Sequence, residues 1–288
     1  MSASAFATIG AMVTNTPASI RNYVINLDRS KDRLDTFQAR AAERGLVFQR
    51  VPAVEGAAIS DSEFDAWHAK CRLWAPMTRT EVACFLSHRK AWDLVLAGAE
   101  PWAFVAEDDI VFAPGAEQFF SSLSWLPTDL HIVKAETIGQ RVEMSSKVHA
   151  RHCGFVVRVL KSQHDGSAGY FVSREGAQRL LECSETQCEP ADFIIFNPGI
   201  AASSGLQIGQ IEPALCMQDF HFLPPTVDRR DFNTIGHIPR KAEEKLLPKK
   251  RSLSARLSRR IDRSRQSLRR AMLTLFQRSV FRRVTMNS

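Results

Sequence analysis

The stretch Phe104-Val105-Ala106-Glu107-Asp108-Asp109-Ile110-Val111-Phe112 sets three consecutive carboxylates between two apolar runs. An apolar run of this length reads as a buried strand. The acids then fall at the strand's carboxyl end, where α/β proteins place their ligand sites. Like charges grouped this closely repel one another and resist burial unless a cation sits among them. A hard divalent ion bridging to a diphosphate would satisfy them. A solvated acidic turn accounts for the same residues without a ligand, so the rest of the chain has to decide.

Upstream, Asn22–Leu27 reads as a buried strand. Residues 31–44 carry Leu34, Phe37 and Ala41 at helical spacing and end at Gly45, and Leu46–Val51 reads as a second strand. This strand–helix–strand unit opens an α/β sheet of the nucleotide-binding kind, with a parallel pair and a right-handed crossover. Thr78-Arg79-Thr80-Glu81 fits a capping box for a helix running to Ala97 and stopped by Gly98. Cys84, Phe85, His88, Trp92 and Val95 lie largely along one side of it. Residues 101–106 form the strand that delivers the acids. Further strands are expected at 130–134, 166–172 and 207–211, and helices at 116–123 and 173–181. Cys188–Asn197 reads as a loop with a short helix holding Asp192, and 142–165 as a mobile loop with one short strand at 155–159.

A chain of 288 residues, 44% hydrophobic, suits one large α/β domain or two smaller ones. No stretch approaches the roughly 18–20 apolar residues of a membrane span. The six cysteines form no CxxC pair and have no zinc-ligand partner at the right spacing, so they read as reduced thiols, mostly in the core. The net charge of +7 conceals two opposite parts. Thirteen Lys or Arg and a single acid lie from Lys249 onward, leaving 25 bases against 30 acids in the body. Within the tail Leu253, Leu257, Ile261, Leu268, Met272 and Leu275 recur at three- and four-residue steps, with arginines between them. That is the pattern of a basic amphipathic helix, suited to an anionic membrane surface. A helix docked on the body, a partner-binding helix or a nucleic-acid arm would show the same charge. The acidic body and the lack of interleaved aromatics disfavour nucleic acid. The expected organisation is a lead-in over 1–20, an α/β body over 21–222, a linker over 223–249 and a helical tail over 250–288.

Several segments together resemble glycosyltransferase family 25, which includes bacterial lipooligosaccharide glycosyltransferases and the collagen galactosyltransferases. They are Tyr23-Val24-Ile25-Asn26-Leu27-Asp28-Arg29-Ser30-Lys31-Asp32-Arg33, Val51-Pro52-Ala53-Val54-Glu55-Gly56 and Glu81-Val82-Ala83-Cys84-Phe85-Leu86-Ser87-His88. Glu107-Asp108-Asp109, Gly166-Ser167-Ala168-Gly169-Tyr170 and Pro213-Ala214-Leu215-Cys216-Met217-Gln218 follow in family order. Thr80 and Ala83 stand where relatives often carry glycine. The resemblance implies a GT-A-like fold, a UDP-sugar donor, inversion at the anomeric carbon, and Glu107-Asp108-Asp109 as the variant of the DxD metal motif.

On that footing the residues take expected roles. Asn26, Asp28, Arg29 and Arg33 follow the first strand, where a nucleotide meets the sheet edge, and the two arginines suit phosphate. An exposed first helical turn would look the same. Asp109 is the first choice as direct ligand of Mn²⁺ or Mg²⁺, with Asp108 and Glu107 beside it. Ser87 and His88 face the donor from their helix, although a histidine beside Phe85 and Trp92 also suits a core. Asp192 is the candidate base on the acceptor hydroxyl, or else only the cap of a short helix. Gln218 and Asp219 would close the metal or donor site, and Gly166 and Gly169 would admit close backbone approach. The expected acceptor is a lipid-linked glycan such as lipooligosaccharide, its specificity held in 142–165 and 67–77, and the expected location is the cytoplasmic face of the membrane. A degenerate glycan- or nucleotide-binding module recruited by its tail is the alternative.

Overall fold

The computed structural model describes residues 20–72, 76–222 and 279–287. The opening unit forms as the sequence predicts. Strand β1 (Arg21–Asn26) leads through helix α1 (Lys31–Ala42) into β2 (Gln49–Pro52), which pairs parallel to β1. Gly45 takes a φ of +69° at the end of α1, where the chain reverses and the Leu46 amide reaches back to the Ala41 carbonyl. Helix α2 (Asp61–His68) precedes α3 (Arg79–Ala97). The capping box at the start of α3 is closed both ways, Thr78 accepting from the Glu81 amide and Glu81 from the Thr78 amide.

Strand β3 (Trp102–Glu107) pairs parallel to β1 on its other edge, and β4 (Ile110–Phe112) follows directly after the acids. Then come β5 (Ile132–Lys134), β6 (Arg141–Ser145), β7 (Ala150–His152), β8 (Phe155–Val159) and β9 (Gly169–Ser173). Helices α4 (Arg174–Ser184), α5 (Ala191–Phe196) and α6 (Pro198–Ser203) lead to β10 (Ile208–Glu212) and β11 (Cys216–Gln218). The main sheet has the order β2-β1-β3-β9-β5-β10-β8-β7. It is mixed: β9 runs antiparallel to both β3 and β5, whereas β5 and β10 run parallel.

Apolar cores cover both faces of the sheet, and strand periodicity sorts the residues between them. On β3, Ala103 and Val105 join the core under α3 and α4, while Phe104 and Ala106 join a phenylalanine-rich core under α1. On β9, Tyr170 and Val172 take the first face and Phe171 the second. Continuing that alternation by one step turns Glu107 toward α3. Phe104 and Phe171 meet edge-on at 4.7 Å between ring centroids, as do Phe37 and Phe48 at 4.9 Å.

Two expectations are corrected. Residues 142–165 are not a loop with one strand: they carry β6, β7 and β8, with β7 and β8 closing the sheet edge as an antiparallel pair. Nor is the expected helical tail over 250–288 helical to its end. Strand β12 (Ser279–Arg283) pairs antiparallel with β6 and covers an edge that would otherwise stand open. Beyond it Val284 is fully buried, and its carbonyl accepts from the Thr137 hydroxyl at 2.7 Å. The helical pattern at 253–276 and the linker at 223–249 lie outside the described residues, as does the lead-in over 1–19. Among the described residues no helix is long and apolar enough to cross a membrane, and all six cysteines are free thiols, with Cys188 and Cys216 buried.

The Val284 side chain is fully buried, so Val284→Ala, which keeps the backbone bonds, should lower stability by about 2 kcal/mol. Urea denaturation should show a lower midpoint with an unchanged slope. An unchanged midpoint would mean that β12 adds nothing to the body.

Candidate active site

Glu107, Asp108 and Asp109 leave the end of β3 in three different directions, each into its own set of donors. Glu107 turns toward α3. Its Oε1 accepts from the Ser167 hydroxyl at 2.7 Å and lies 3.5 Å from His88 Nε2. Burial alone would push Glu107 up, but the nearby His88, the hydrogen bond from Ser167 and the charge of Arg33 outweigh it and hold its carboxyl below the usual range. Asp108 accepts from Asn26 Nδ2 at 2.6 Å and pairs with Arg33. Burial nonetheless leaves it raised.

Asp109 turns toward β11. Its Oδ2 accepts from Gln218 Nε2 at 3.1 Å and lies 3.2 Å from the Arg33 guanidinium. Its carbonyl takes the Asp219 amide at 2.7 Å, so β11 and the turn after it close over the acids. Its Oδ1 is buried and has no hydrogen-bond partner. Burial, then repulsion from Glu107 and Asp108, pushes the carboxyl up to about 8 against the pull of Arg33. A carboxylate held in this way is one that a cation would stabilise. Asp109 therefore fits a hard cation, with Asp108 and Glu107 as neighbours.

A cavity of about 360 Å³ opens beside the triplet at the carboxyl ends of β1 and β3. Asn26, Arg29, Arg33, Ser87, His88, Glu107 and Asp108 line it, seven of the residues expected at a donor site. The remaining lining includes Val54, Glu55, Gly56, Thr80, Ala83 and Cys84. Its volume is within the range of small-molecule pockets. Arg29 pairs with Glu55 across this rim. The Ser87 hydroxyl donates to the Ala83 carbonyl at 2.7 Å and accepts from the Val54 amide at 2.8 Å, so it fixes the loop after β2 against α3.

Seven expected residues stand apart from the cavity lining: Asp28, Asp109, Gly166, Gly169, Asp192, Gln218 and Asp219. Asp28 turns outward and pairs with Arg50, whose hydrogen bond and charge hold its carboxyl below the usual range. Gln218 acts through Asp109. Asp192 sits in the first turn of α5, but Pro190, not Asp192, is the cap. Its Oδ2 accepts from the Gly166 amide at 2.9 Å, and its charge, with burial and Glu107, pushes up the Cys84 thiol. Gly169 pairs within the sheet between β3 and β5, and a side chain there would collide with Cys216 Sγ. Its missing Cβ clears a core contact. Gly166 has a φ of +88°, and a Cβ would meet Glu136 Oε1 at 2.6 Å.

Sequence reading missed the support beneath the site. Lys134 and Glu136 form a fully buried pair at 2.9 Å. Lys134 also donates to the Gly166 carbonyl, and Glu136 accepts from the Ala168 amide at 2.9 Å. Together they clamp the Gly166–Ala168 turn, which presents its Gly166 amide to Asp192 and its Ser167 hydroxyl to Glu107. On the α3 side Trp92 Nε1 donates to the Tyr170 hydroxyl at 2.8 Å, and that hydroxyl lies 3.0 Å from His88 Nδ1. The only local signal for the pair was a lysine ending an apolar strand.

The fold and site define a mixed α/β protein with an acidic, cation-ready pocket at the carboxyl ends of parallel strands. Residues 19–195 match glycosyltransferase family 25 (LPS biosynthesis protein). The lacto-N-neotetraose biosynthesis glycosyltransferase LgtB of Neisseria gonorrhoeae is 29% identical over 213 residues, covering 70% of this chain and 76% of that one. The lipooligosaccharide biosynthesis protein lic2B of Haemophilus influenzae is 27% identical over 215 residues, covering 72% and 79%. Procollagen galactosyltransferase 2 of Mus musculus is 30% identical over 171 residues, but these are 27% of that protein and 55% of this one. A solved Drosophila galactosyltransferase 7 superposes with a TM-score of 0.35 at 10% identity over 82% of this chain and 84% of that one, too loosely to bear on the fold. The chain belongs to glycosyltransferase family 25.

The raised Asp109 carboxyl gives a signed stability prediction. The folded group keeps its proton up to about pH 8, whereas the unfolded one loses it near pH 3.9. Its contribution to stability is therefore lost as pH rises through that window. Asp109→Asn removes the loss. With chelator present, the variant should gain on the wild type as pH rises across the window and match it at the acid end. Denaturant midpoints across the window check this, and a variant no more stable than wild type at its alkaline end would contradict it.

Proposed function

We propose that the chain is a metal-dependent, inverting hexosyltransferase of GT-A type that moves a sugar such as galactose from UDP onto a lipid-linked glycan. The observation that carries this is the buried, unpartnered Asp109 Oδ1, next in sequence to Glu107 and Asp108, which line a cavity together with Arg29 and Arg33. The names of the relatives, lipooligosaccharide and lacto-N-neotetraose biosynthesis, support a glycan acceptor of this class.

When bound, Mn²⁺ or Mg²⁺ held by Asp109 with Asp108 and Glu107 supplies charge neutralisation for the departing diphosphate. Arg29 and Arg33 add positive charge at the cavity wall, where guanidinium groups meet phosphate oxygens two at a time. Asn26 holds Asp108 in place and lines the nucleotide side of the cavity. His88, its ring fixed by Tyr170, orients the donor sugar from the α3 wall. Asp192 takes the proton from the acceptor hydroxyl as that oxygen attacks the anomeric carbon and the bond to UDP breaks. Attack from the side opposite the leaving group inverts the centre. The Gly166 amide and the Lys134–Glu136 clamp keep the Asp192 carboxylate aimed.

The basic stretch after Lys249 supports a place at an anionic membrane surface, next to such an acceptor. The test is transfer from UDP-galactose and UDP-glucose to lipooligosaccharide-type acceptors in anionic vesicles. Asp192→Asn should lower kcat by about 10²–10⁴-fold, the usual contribution of a general base, with donor KM little changed. Rising salt should weaken turnover by screening the surface attraction. A variant with wild-type kcat would remove Asp192 from the chemistry.

A further inference from the structure

Cys84 lines the cavity and has no part in the chemistry above. It lies one turn before His88 on α3, so the two side chains share a face. The Cys84 Sγ, a His88 ring nitrogen and a Glu107 carboxylate oxygen all lie within 4.8 Å of one another. His88 Nε2 and Glu107 Oε1 are 3.5 Å apart. Metal bonds of about 2.0–2.3 Å at tetrahedral angles put neighbouring donor atoms at about this separation.

The histidine is already prepared as a ligand. His88 is 1% exposed, and its Nε2 is buried without a hydrogen-bond partner. Its Nδ1 faces the Tyr170 hydroxyl at 3.0 Å, and Trp92 Nε1 donates to that same oxygen at 2.8 Å. A hydroxyl oxygen has two lone pairs. One takes the Trp92 N–H; in the tautomer protonated at Nδ1 the other takes the Nδ1–H, and that tautomer directs the Nε2 lone pair at the Cys84–Glu107 side. An outer partner of this kind is what orients metal-binding histidines.

We propose that Cys84, His88 and Glu107 form a site for a thiolate-seeking divalent cation such as Zn²⁺, distinct from the all-oxygen position at Asp109. One sulfur, one imidazole and one carboxylate favour Zn²⁺ over Mg²⁺ or Mn²⁺. Three protein ligands leave the fourth position open to the cavity. Binding converts the thiol to a thiolate, and its proton passes to the solvent. Glu107 belongs to both positions, so Zn²⁺ here withdraws it from the hard cation and fills cavity space beside it. The site rests on its own geometry and does not depend on the transfer reaction.

The experiment titrates the whole protein with Co²⁺, then displaces it with Zn²⁺ or Mn²⁺. Wild type should show a sulfur-to-cobalt charge-transfer band with tetrahedral d–d absorption, abolished by Zn²⁺ and not by equal Mn²⁺. Cys84→Ser should lose the band and bind Zn²⁺ more than about 10-fold more weakly, beyond the smallest loss expected even of an outer-shell change. Glu107→Gln, nearly isosteric, should keep the band at lower affinity. Cys153→Ser, which removes an exposed thiol, should change nothing. No band in wild type, a band that survives in folded Cys84→Ser, or displacement by equal Mn²⁺ would each overturn the proposal.

Discussion

Three adjacent carboxylates at the end of a central strand cannot share one environment, and their separation into three donor sets organises the structure around them. Strand alternation turns Glu107 toward α3, where His88 and Ser167 receive it. Asp108 turns to Asn26 and Arg33, and Asp109 to Gln218 and Arg33. Arg33 lies between the last two and keeps both anionic groups near one cation. What is left over is concentrated on Asp109, whose carboxyl is raised to about 8 and whose Oδ1 lacks a partner. Destabilising one group in this manner is a common feature of functional sites.

The remainder of the fold holds this arrangement in place. Parallel β1 and β3 bring Asn26 and Glu107 to the same sheet edge. The capped helix α3 sets Ser87 and His88 at the height of the strand ends, and Ser87 ties the loop after β2 to it. From the other side the buried Lys134–Glu136 pair holds the Gly166–Ala168 turn, which touches both Glu107 and Asp192. A buried pair of this kind adds little net stability over apolar residues, but losing one partner is costly. Its contribution here is positional.

Local chemistry was legible where it was self-contained. The strand–helix–strand unit, the capping box at Thr78 and the run ending in Glu107-Asp108-Asp109 depend on near neighbours, and each formed as read. Reading failed where the deciding partner lay far along the chain. β12 is strand because β6 offers it an open edge, which no pattern within residues 279–287 declares. Gly169 is glycine because Cys216 packs over it. Lys134 and Glu136 look like an ordinary polar strand end until the Gly166 turn folds onto them. Within residues 142–165, β7 is an edge strand with Arg151 exposed, so no apolar alternation marks it in the sequence. Cys84 looked like one more core thiol until its neighbours were in place.

The account turns on the claim that Asp109 holds a divalent cation which in turn holds the donor's diphosphate. Calorimetric titration of UDP into the protein, with Mn²⁺ or with chelator, in wild type and Asp109→Ala, tests it directly. The account predicts UDP binding in wild type with Mn²⁺, and a loss of at least about 10-fold in affinity, or 1.4 kcal/mol, on adding chelator or removing the carboxylate. UDP binding of equal strength with chelator, or in Asp109→Ala, would contradict it.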